Sequence, residues 1–276
     1  MGRGARIEAA LWLVAALAFA ASSWSAAPPA DTGIATATET ETALREPGTM
    51  LVMTWNVGGT RDGRPHPFDR ADLPKLVQAI ETFEPDLLLL QEFRYSSDWA
   101  PLRAALTDPK REGDPWIKAS GDVAIVAFRG ELHGGELTGN AALCQWTIDG
   151  GTIAVGNLHA SPWNARERRR AIGSVVDQLL ATPGPSRLFG GDLNLDVGQR
   201  SDLFSNDPDS DVAIYNWLAE RLTDLGLKAG PTAEPDRRLD YLFASPDLVA
   251  SHARVLDGCR GPTMDHDPLL VGVRRR

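Results

Sequence analysis

The sequence predicts an α/β protein. From Met50 onward, short apolar runs alternate with segments of helical periodicity. Polar side chains that can bind metal sit where several of those runs end. The chain has 276 residues, 43% hydrophobic and 24% charged. That is enough for one large domain or two small ones with a sizeable core.

The elements follow in order. Arg3 and Arg6 precede an apolar run from Ala9 to Ala21, and small residues with Ser25 and Ala27 at signal-peptidase spacing come next. Residues 1–27 are therefore expected to be a secretory signal, or a membrane anchor if uncleaved. Residues 28–48 are rich in Ala, Thr, Pro and Glu and are expected to be a disordered linker. The folded domain is expected over 49–276, in a secreted or extracytoplasmic protein.

Met50–Trp55 is the first expected strand. Leu73, Leu76, Val77 and Ile80 carry helical spacing over Asp72–Phe83, and Pro85 stops that helix. Leu87–Leu90 is continuously apolar, as in a strand covered on both faces. Val123–Phe128, Ala141–Ile148 and Thr152–Leu158 are further strands, the last two joined by Asp149-Gly150-Gly151. Helices are expected over Asn164–Leu180 and Asp211–Leu225, the second stopped by Gly226. Arg187–Gly190, Leu239–Ala244 and Leu269–Val273 complete the strands, and no internal repeat is visible.

Composition excludes some functions. A net charge of -9 argues against stable coating of nucleic acid by phosphate neutralisation. It leaves room for brief contact with a phosphodiester where bound metal supplies positive charge. Cys144 and Cys259 are too few for a disulfide framework or a cysteine zinc site. One pair and two free thiols both remain open.

Several strand ends carry chemistry. Glu92 closes an apolar strand and is a hard oxygen donor, suited to magnesium, manganese or calcium. Alone, it reads as readily as a surface glutamate. Asp192 and Asn194 follow two glycines, and in an extended loop could face one volume; an Asx-type turn is the plainer alternative. His159 is expected on an exposed rim at a strand exit. His266, between Asp265 and Asp267, can work as acid or base near neutral pH. Asp240 lies inside an apolar strand and needs a partner, either an imidazole or a neighbouring arginine. Arg166, Arg168, Arg169 and Arg170 read as a solvated helix face, with steering of an anionic substrate as the alternative.

Six segments, in this order, resemble the endonuclease/exonuclease/phosphatase superfamily, the deoxyribonuclease I-like fold. They are Thr54–Val57, Leu87–Glu92, Asn157–Ser161, Gly190–Asn194, Arg238–Phe243 and Met264–Leu269. The resemblance implies an α/β four-layer sandwich: two packed, mostly antiparallel β-sheets flanked by helices. It implies Mg2+ (with Mn2+ or Ca2+ as alternatives) held chiefly by Glu92, with Asn56 near metal and phosphate and Asp265 as a further metal-site carboxylate. Asp192, aided by Asn194, would activate water. His266, steadied by Asp240, would contact phosphate, and His159 would bind phosphate or protonate the leaving oxygen. Two departures stand out: Met264 replaces a hydroxyl residue common in the family, and Gly58 stands where some members carry a polar side chain.

The expected activity is a metal-dependent phosphodiesterase acting transiently on nucleic acid, from a monomer. A phospholipid or phosphoinositide substrate is the alternative. A membrane-facing apolar loop would favour it, with Trp99, Trp116 and Trp163 as candidates that read more readily as packing residues. A catalytically inactive binding module is the third reading.

Overall fold

The computed structural model describes residues 45–61, 64–106, 115–184, 186–197 and 210–276. The expected signal segment, and the expected linker up to residue 44, lie outside them.

The first half of the chain contains β1 (Met50–Asn56), β2 (Gly59–Arg61), β3 (Arg64–His66), α1 (Leu73–Phe83), β4 (Leu87–Gln91), α2 (Tyr95–Ala105), β5 (Trp116–Ser120) and β6 (Val123–Ala127). Then come β7 (Glu131–His133), β8 (Leu137–Thr138), β9 (Ala141–Ile148), β10 (Gly151–His159), α3 (Ala165–Ala181) and β11 (Ser186–Asp192). The last are α4 (Asp211–Ala219), β12 (Thr223–Asp224), β13 (Asp240–Ala244), β14 (Leu248–Val255) and β15 (Leu269–Arg275).

Two large sheets result. One has the order β14-β15-β1-β4-β6-β5, the other β12-β13-β11-β10-β9-β7 with β8 added beside β9. Most pairings are antiparallel; β1 with β4 and β10 with β11 are the parallel ones. Side-chain alternation along the strands builds three apolar clusters. Val52, Leu89, Ile125, Trp146, Val155 and Leu188 fill the space between the sheets. Leu51, Met53, Leu88 and Leu90 face outward from the first sheet onto Leu76 and Ile80 of α1 and Leu102 of α2. Ala154, Phe189, Tyr241 and Phe243 face outward from the second onto Ile172, Val176 and Leu179 of α3 and Leu218 of α4. This is the expected four-layer sandwich. Leu87–Leu90 is fully buried on both faces, which is why its sequence shows no polar alternation.

Local signals end the helices where the chain must turn. Glu84 adopts a left-handed conformation (φ 41°) just before Pro85, closing α1. Asn164 accepts from the Glu167 N–H and caps α3. Ser210 caps α4 in the same way.

Three expectations need correction. The helix from Asp211 ends at Ala219, because Thr223–Asp224 turns away to pair with β13 at the sheet edge. The sheet-edge strands β5 and β14 were not foreseen; their half-exposed residues break the apolar pattern. Arg168 is buried against Asp211 rather than solvated like Arg166, Arg169 and Arg170. Cys144 and Cys259 are free thiols.

Candidate active site

Strand register brings the chemistry to one end of the sandwich. Asn56 lies opposite Gln91 across the parallel pair β1–β4. His159 lies opposite Asp192 across β10–β11. β13 runs antiparallel to β11, so Asp240 meets Asp192 from the start of its strand. β15 runs antiparallel to β1 with Leu269 opposite Thr54, which delivers His266 to the same end from the segment before the strand. The site thus draws on carboxyl ends of parallel strands and amino ends of antiparallel ones.

Asn56 sits at the centre. Its Nδ2 donates to Glu92 Oε1 at 3.1 Å and to Asp192 Oδ2 at 3.0 Å. Its Oδ1 accepts the Gly58 N–H at 3.0 Å. One amide therefore holds carboxylates from both sheets. A Cβ on Gly58 would overlap the Glu92 carboxylate, which explains a glycine at that position. Glu92 and Asn194 both take left-handed backbone (φ 57° and 50°), a strain of roughly 1–3 kcal/mol each that the surrounding framework must hold.

Two histidines flank these carboxylates. His266 Nδ1 donates to Asp240 Oδ2 at 2.7 Å, and its Nε2 lies 3.9 Å from Asp192 Oδ2 and 3.8 Å from Asp265 Oδ1. Asp240 has thus taken the imidazole partner; Arg238, the neighbouring arginine, pairs with Asp224 at 2.7 Å. His159 Nδ1 donates to Asp122 Oδ2 at 2.8 Å, and its Nε2 lies 3.9 Å from both Glu92 Oε1 and Asp192 Oδ2. The His159 side chain is 13% exposed, deeper than an open rim, because the turn bearing Asp122 covers it.

Burial opposes charge on both rings, but the carboxylates outweigh it. The Asp122 hydrogen bond with the charges of Asp192 and Glu92 lifts His159 to about 9. The charge and hydrogen bond of Asp240, with Asp192 and Asp265, lift His266 to about 10. Burial pushes the Glu92 carboxyl above its usual range, with Asn56 working the other way. In this arrangement the carboxylates favour the charged form of both imidazoles.

The remaining expected residues have distinct places. Asp192 Oδ1 accepts the Asn194 N–H at 2.9 Å, the geometry of an Asx turn. Asn194 Nδ2 donates to the Ala160 carbonyl at 3.0 Å, tying the loop after β11 to the loop after β10. Asp265 lies on the His266 side, its side chain 42% exposed. Met264 packs in the outer cluster of the first sheet.

Two functional features escaped the sequence reading. Asp122 belongs to a short turn after the unforeseen strand β5, and nothing in Gly121-Asp122 signals a histidine partner. Gln91 and Asn157 stood beside expected site residues but were given no role. Gln91 Nε2 donates to Asn157 Oδ1 at 2.7 Å, and Asn157 Nδ2 donates to the carbonyls of Leu90 and Ala124 at 2.9 Å each. This buried clasp joins the sheets directly beneath Glu92 and His159.

The model of the Endonuclease/Exonuclease/phosphatase family matches residues 53–262. The chain belongs to that family. Every residue of the central constellation except Asp265 and His266 falls within the match. Solved structures agree on the fold. An endonuclease/exonuclease/phosphatase from Beutenbergia cavernae DSM 12333 is 19% identical with a TM-score of 0.64, covering 82% of this chain and 72% of that one. A family protein from Leptotrichia buccalis C-1013-b is 16% identical with a TM-score of 0.62, covering 82% and 99%. D. rerio TDP2, complexed with single strand DNA product, is 17% identical with a TM-score of 0.59, covering 82% and 99%. No curated protein matches the chain significantly. Members of this family are mostly hydrolases of phosphate esters, and the constellation is the chain's candidate hydrolytic centre.

Proposed function

We propose that this chain is an exported, divalent-metal-dependent phosphodiesterase that cleaves nucleic acid. The observation that carries the reading is the Asn56 amide holding Glu92 and Asp192 between two histidines, each hydrogen-bonded to an aspartate of its own. That arrangement offers a water-activating carboxylate and two aimed imidazole donors to one phosphate.

The donor set fits magnesium. Among the described residues no three His, Cys, Asp or Glu side chains are placed to enclose an ion. Magnesium does not need such a cage, since it usually takes one or two carboxylates and completes its shell with water and substrate phosphate. Glu92 is a partly buried hard carboxylate whose charge burial disfavours, and a cation would relieve that cost. Glu92 would hold the ion, with Asn56 beside it and Asp265 as the further carboxylate of the implied site; when bound it would neutralise charge on the phosphoryl oxygens.

The side chains supply the rest. Asp192 accepts a proton from the attacking water, and Asn194 fixes the Asp192 carboxylate through its backbone N–H. His266, oriented by Asp240, donates to a phosphoryl oxygen. His159, oriented by Asp122, donates a proton to the ester oxygen as its bond to phosphorus breaks. Export rests on the charged start and the short apolar run Ala9–Ala21.

The DNA product bound to D. rerio TDP2 supports a nucleic-acid substrate. A phospholipid is the second reading, favoured by the exposed Trp116 and Trp163, while Trp99 is a buried packing residue. The test is incubation with supercoiled plasmid, sphingomyelin and a phosphoinositide, each with magnesium and with chelator. Plasmid nicking abolished by chelator is expected. Turnover of lipid alone selects the second reading, and turnover of nothing overturns both. Amino-terminal sequencing of the protein recovered outside the cytoplasm checks export.

A further inference from the structure

The loop after His159 is tightly held, yet it presents a large side chain to solvent. Trp163 is 87% exposed. Its backbone neighbours are tied down on several sides. The Ala160 N–H donates to the Asp192 carbonyl at 2.9 Å, and Asn194 Nδ2 donates to the Ala160 carbonyl at 3.0 Å. Arg168 Nη1 donates to the Ser161 carbonyl at 2.9 Å while its Nε holds Asp211 at 3.0 Å. The Asn164 N–H donates to Ser161 Oγ at 3.3 Å. A loop fixed in this way holds the indole outward; core packing does not account for it.

A cavity of about 410 Å³ opens along the same loop. That is within the range of small-molecule sites, roughly 300–1,000 Å³. Its walls include His159, Asn140, Ser161, Pro162 and Glu167, with Val175 in its apolar part. Pro162 immediately precedes Trp163. His159 belongs to both the cavity and the catalytic constellation, so an occupant lies beside the residue placed at the ester oxygen above, on the side of β10 that faces α3. Among the described residues no lysine or arginine lines the cavity, and Glu167 would repel an anion. A second phosphate therefore does not fit. An amide, a hydroxyl and a carboxylate beside an apolar surface do suit a planar group with polar edges.

We propose that this cavity and Trp163 form a nucleobase subsite for the nucleotide that flanks the scissile phosphate on the His159 side. The proposal rests on the nuclease reading above. Trp163 stacks on a base face, as aromatic side chains do in single-strand binding proteins. Asn140 and Glu167 meet the base edge.

The test uses the full chain with magnesium and single-stranded oligonucleotides that contain one cleavable phosphodiester. The nucleotide on either side of it is intact or abasic. Removing the base on one flank is expected to lower kcat/KM about tenfold, mainly through KM, and removal on the other flank to change it less than twofold. Trp163→Ala is expected to lose about tenfold on the intact substrate, Trp163→Phe to keep most of the rate, and the Trp163→Ala and base-removal losses not to multiply. Wild-type rates for Trp163→Ala on the intact substrate, or losses that multiply fully, overturn the subsite and leave the nuclease reading standing. A wild-type protein that cleaves none of the oligonucleotides overturns the nuclease reading, and the subsite with it.

Discussion

His266 and His159 each lean on an aspartate, but the two pairs are built from different material. Asp240 comes from the sheet, opposite Asp192, with its side chain fully buried and that of His266 7% exposed. The His266 carbonyl also accepts from Trp55 Nε1 at 3.1 Å. Asp122 comes from a turn and its side chain is 26% exposed. The hydrogen bonds are nearly equal, 2.7 and 2.8 Å, and both rings are driven to the charged form. Nearby carboxylates set the charge in either setting, while the sheet or the turn sets how firmly the ring is aimed. The sheet-held ring should therefore matter more to the rate and to stability.

The largest effects should follow His266. His266→Ala is expected to lower kcat about 10³-fold, near the upper end of what one donor to a developing oxyanion contributes. It also strands the buried Asp240 and should cost about 3–5 kcal/mol of stability. The double change Asp240→Asn with His266→Ala should recover much of that stability and none of the activity. His159→Ala should cost about 10²-fold with a smaller stability loss, and Asp122→Asn about tenfold through misaimed His159. Initial rates with magnesium and urea midpoints measure both quantities. Equal losses from the two histidine changes would break the comparison.

The same contrast governs what was legible in the sequence. Asp240 stands out because an aspartate inside Leu239–Ala244 interrupts an apolar strand, and only a buried partner makes that tolerable. His266 sits in a dense polar cluster before a strand. Both precede or form compact apolar runs, and β1, β4, β10 and β11 are such runs too, so the two sheets and their site ends were readable. Asp122 is not. It depends on β5, an edge strand with half-exposed residues, and its pairing with His159 is a contact across separate segments. Register between sheets is likewise invisible to periodicity, which is why Gln91 and Asn157 looked like bystanders.

A titration separates the pairs by pH. Both folded pKa values lie above the 6.5 of an ordinary imidazole. A ring whose pKa rises on folding adds stability that is complete below about 6.5 and lost as pH climbs through the folded value. With chelator present, wild-type stability should therefore fall between pH 6.5 and 10. The part due to His159 should be gone by about pH 9, and that due to His266 should persist to about pH 10. His159→Ala should flatten the lower part of this decline and leave the upper part. A flat stability profile across the window in wild type would show that neither ring is charged in the metal-free fold.

The smallest effect on rate is expected from the clasp that lies under both pairs. Gln91 ends β4 just before Glu92, and Asn157 precedes His159 on β10, so the clasp touches the backbone that carries both. The apolar layer between the sheets already fixes their spacing, through Leu89, Ile125, Val155 and Leu188. The amides add polar satisfaction where the layer meets the site. Gln91→Leu leaves Asn157 Oδ1 without the 2.7 Å bond and should cost about 1–3 kcal/mol. Asn157→Leu should cost a similar amount, because the carbonyls of Leu90 and Ala124 each lose a donor. Changing both to leucine should cost less than the sum, since neither amide is then left facing an apolar partner. In all three variants kcat should fall less than tenfold, as long as urea midpoints show the protein folded. A drop as large as that of His159→Ala, in a folded Gln91→Leu protein, would mean that the clasp rather than the turn at Asp122 aims His159.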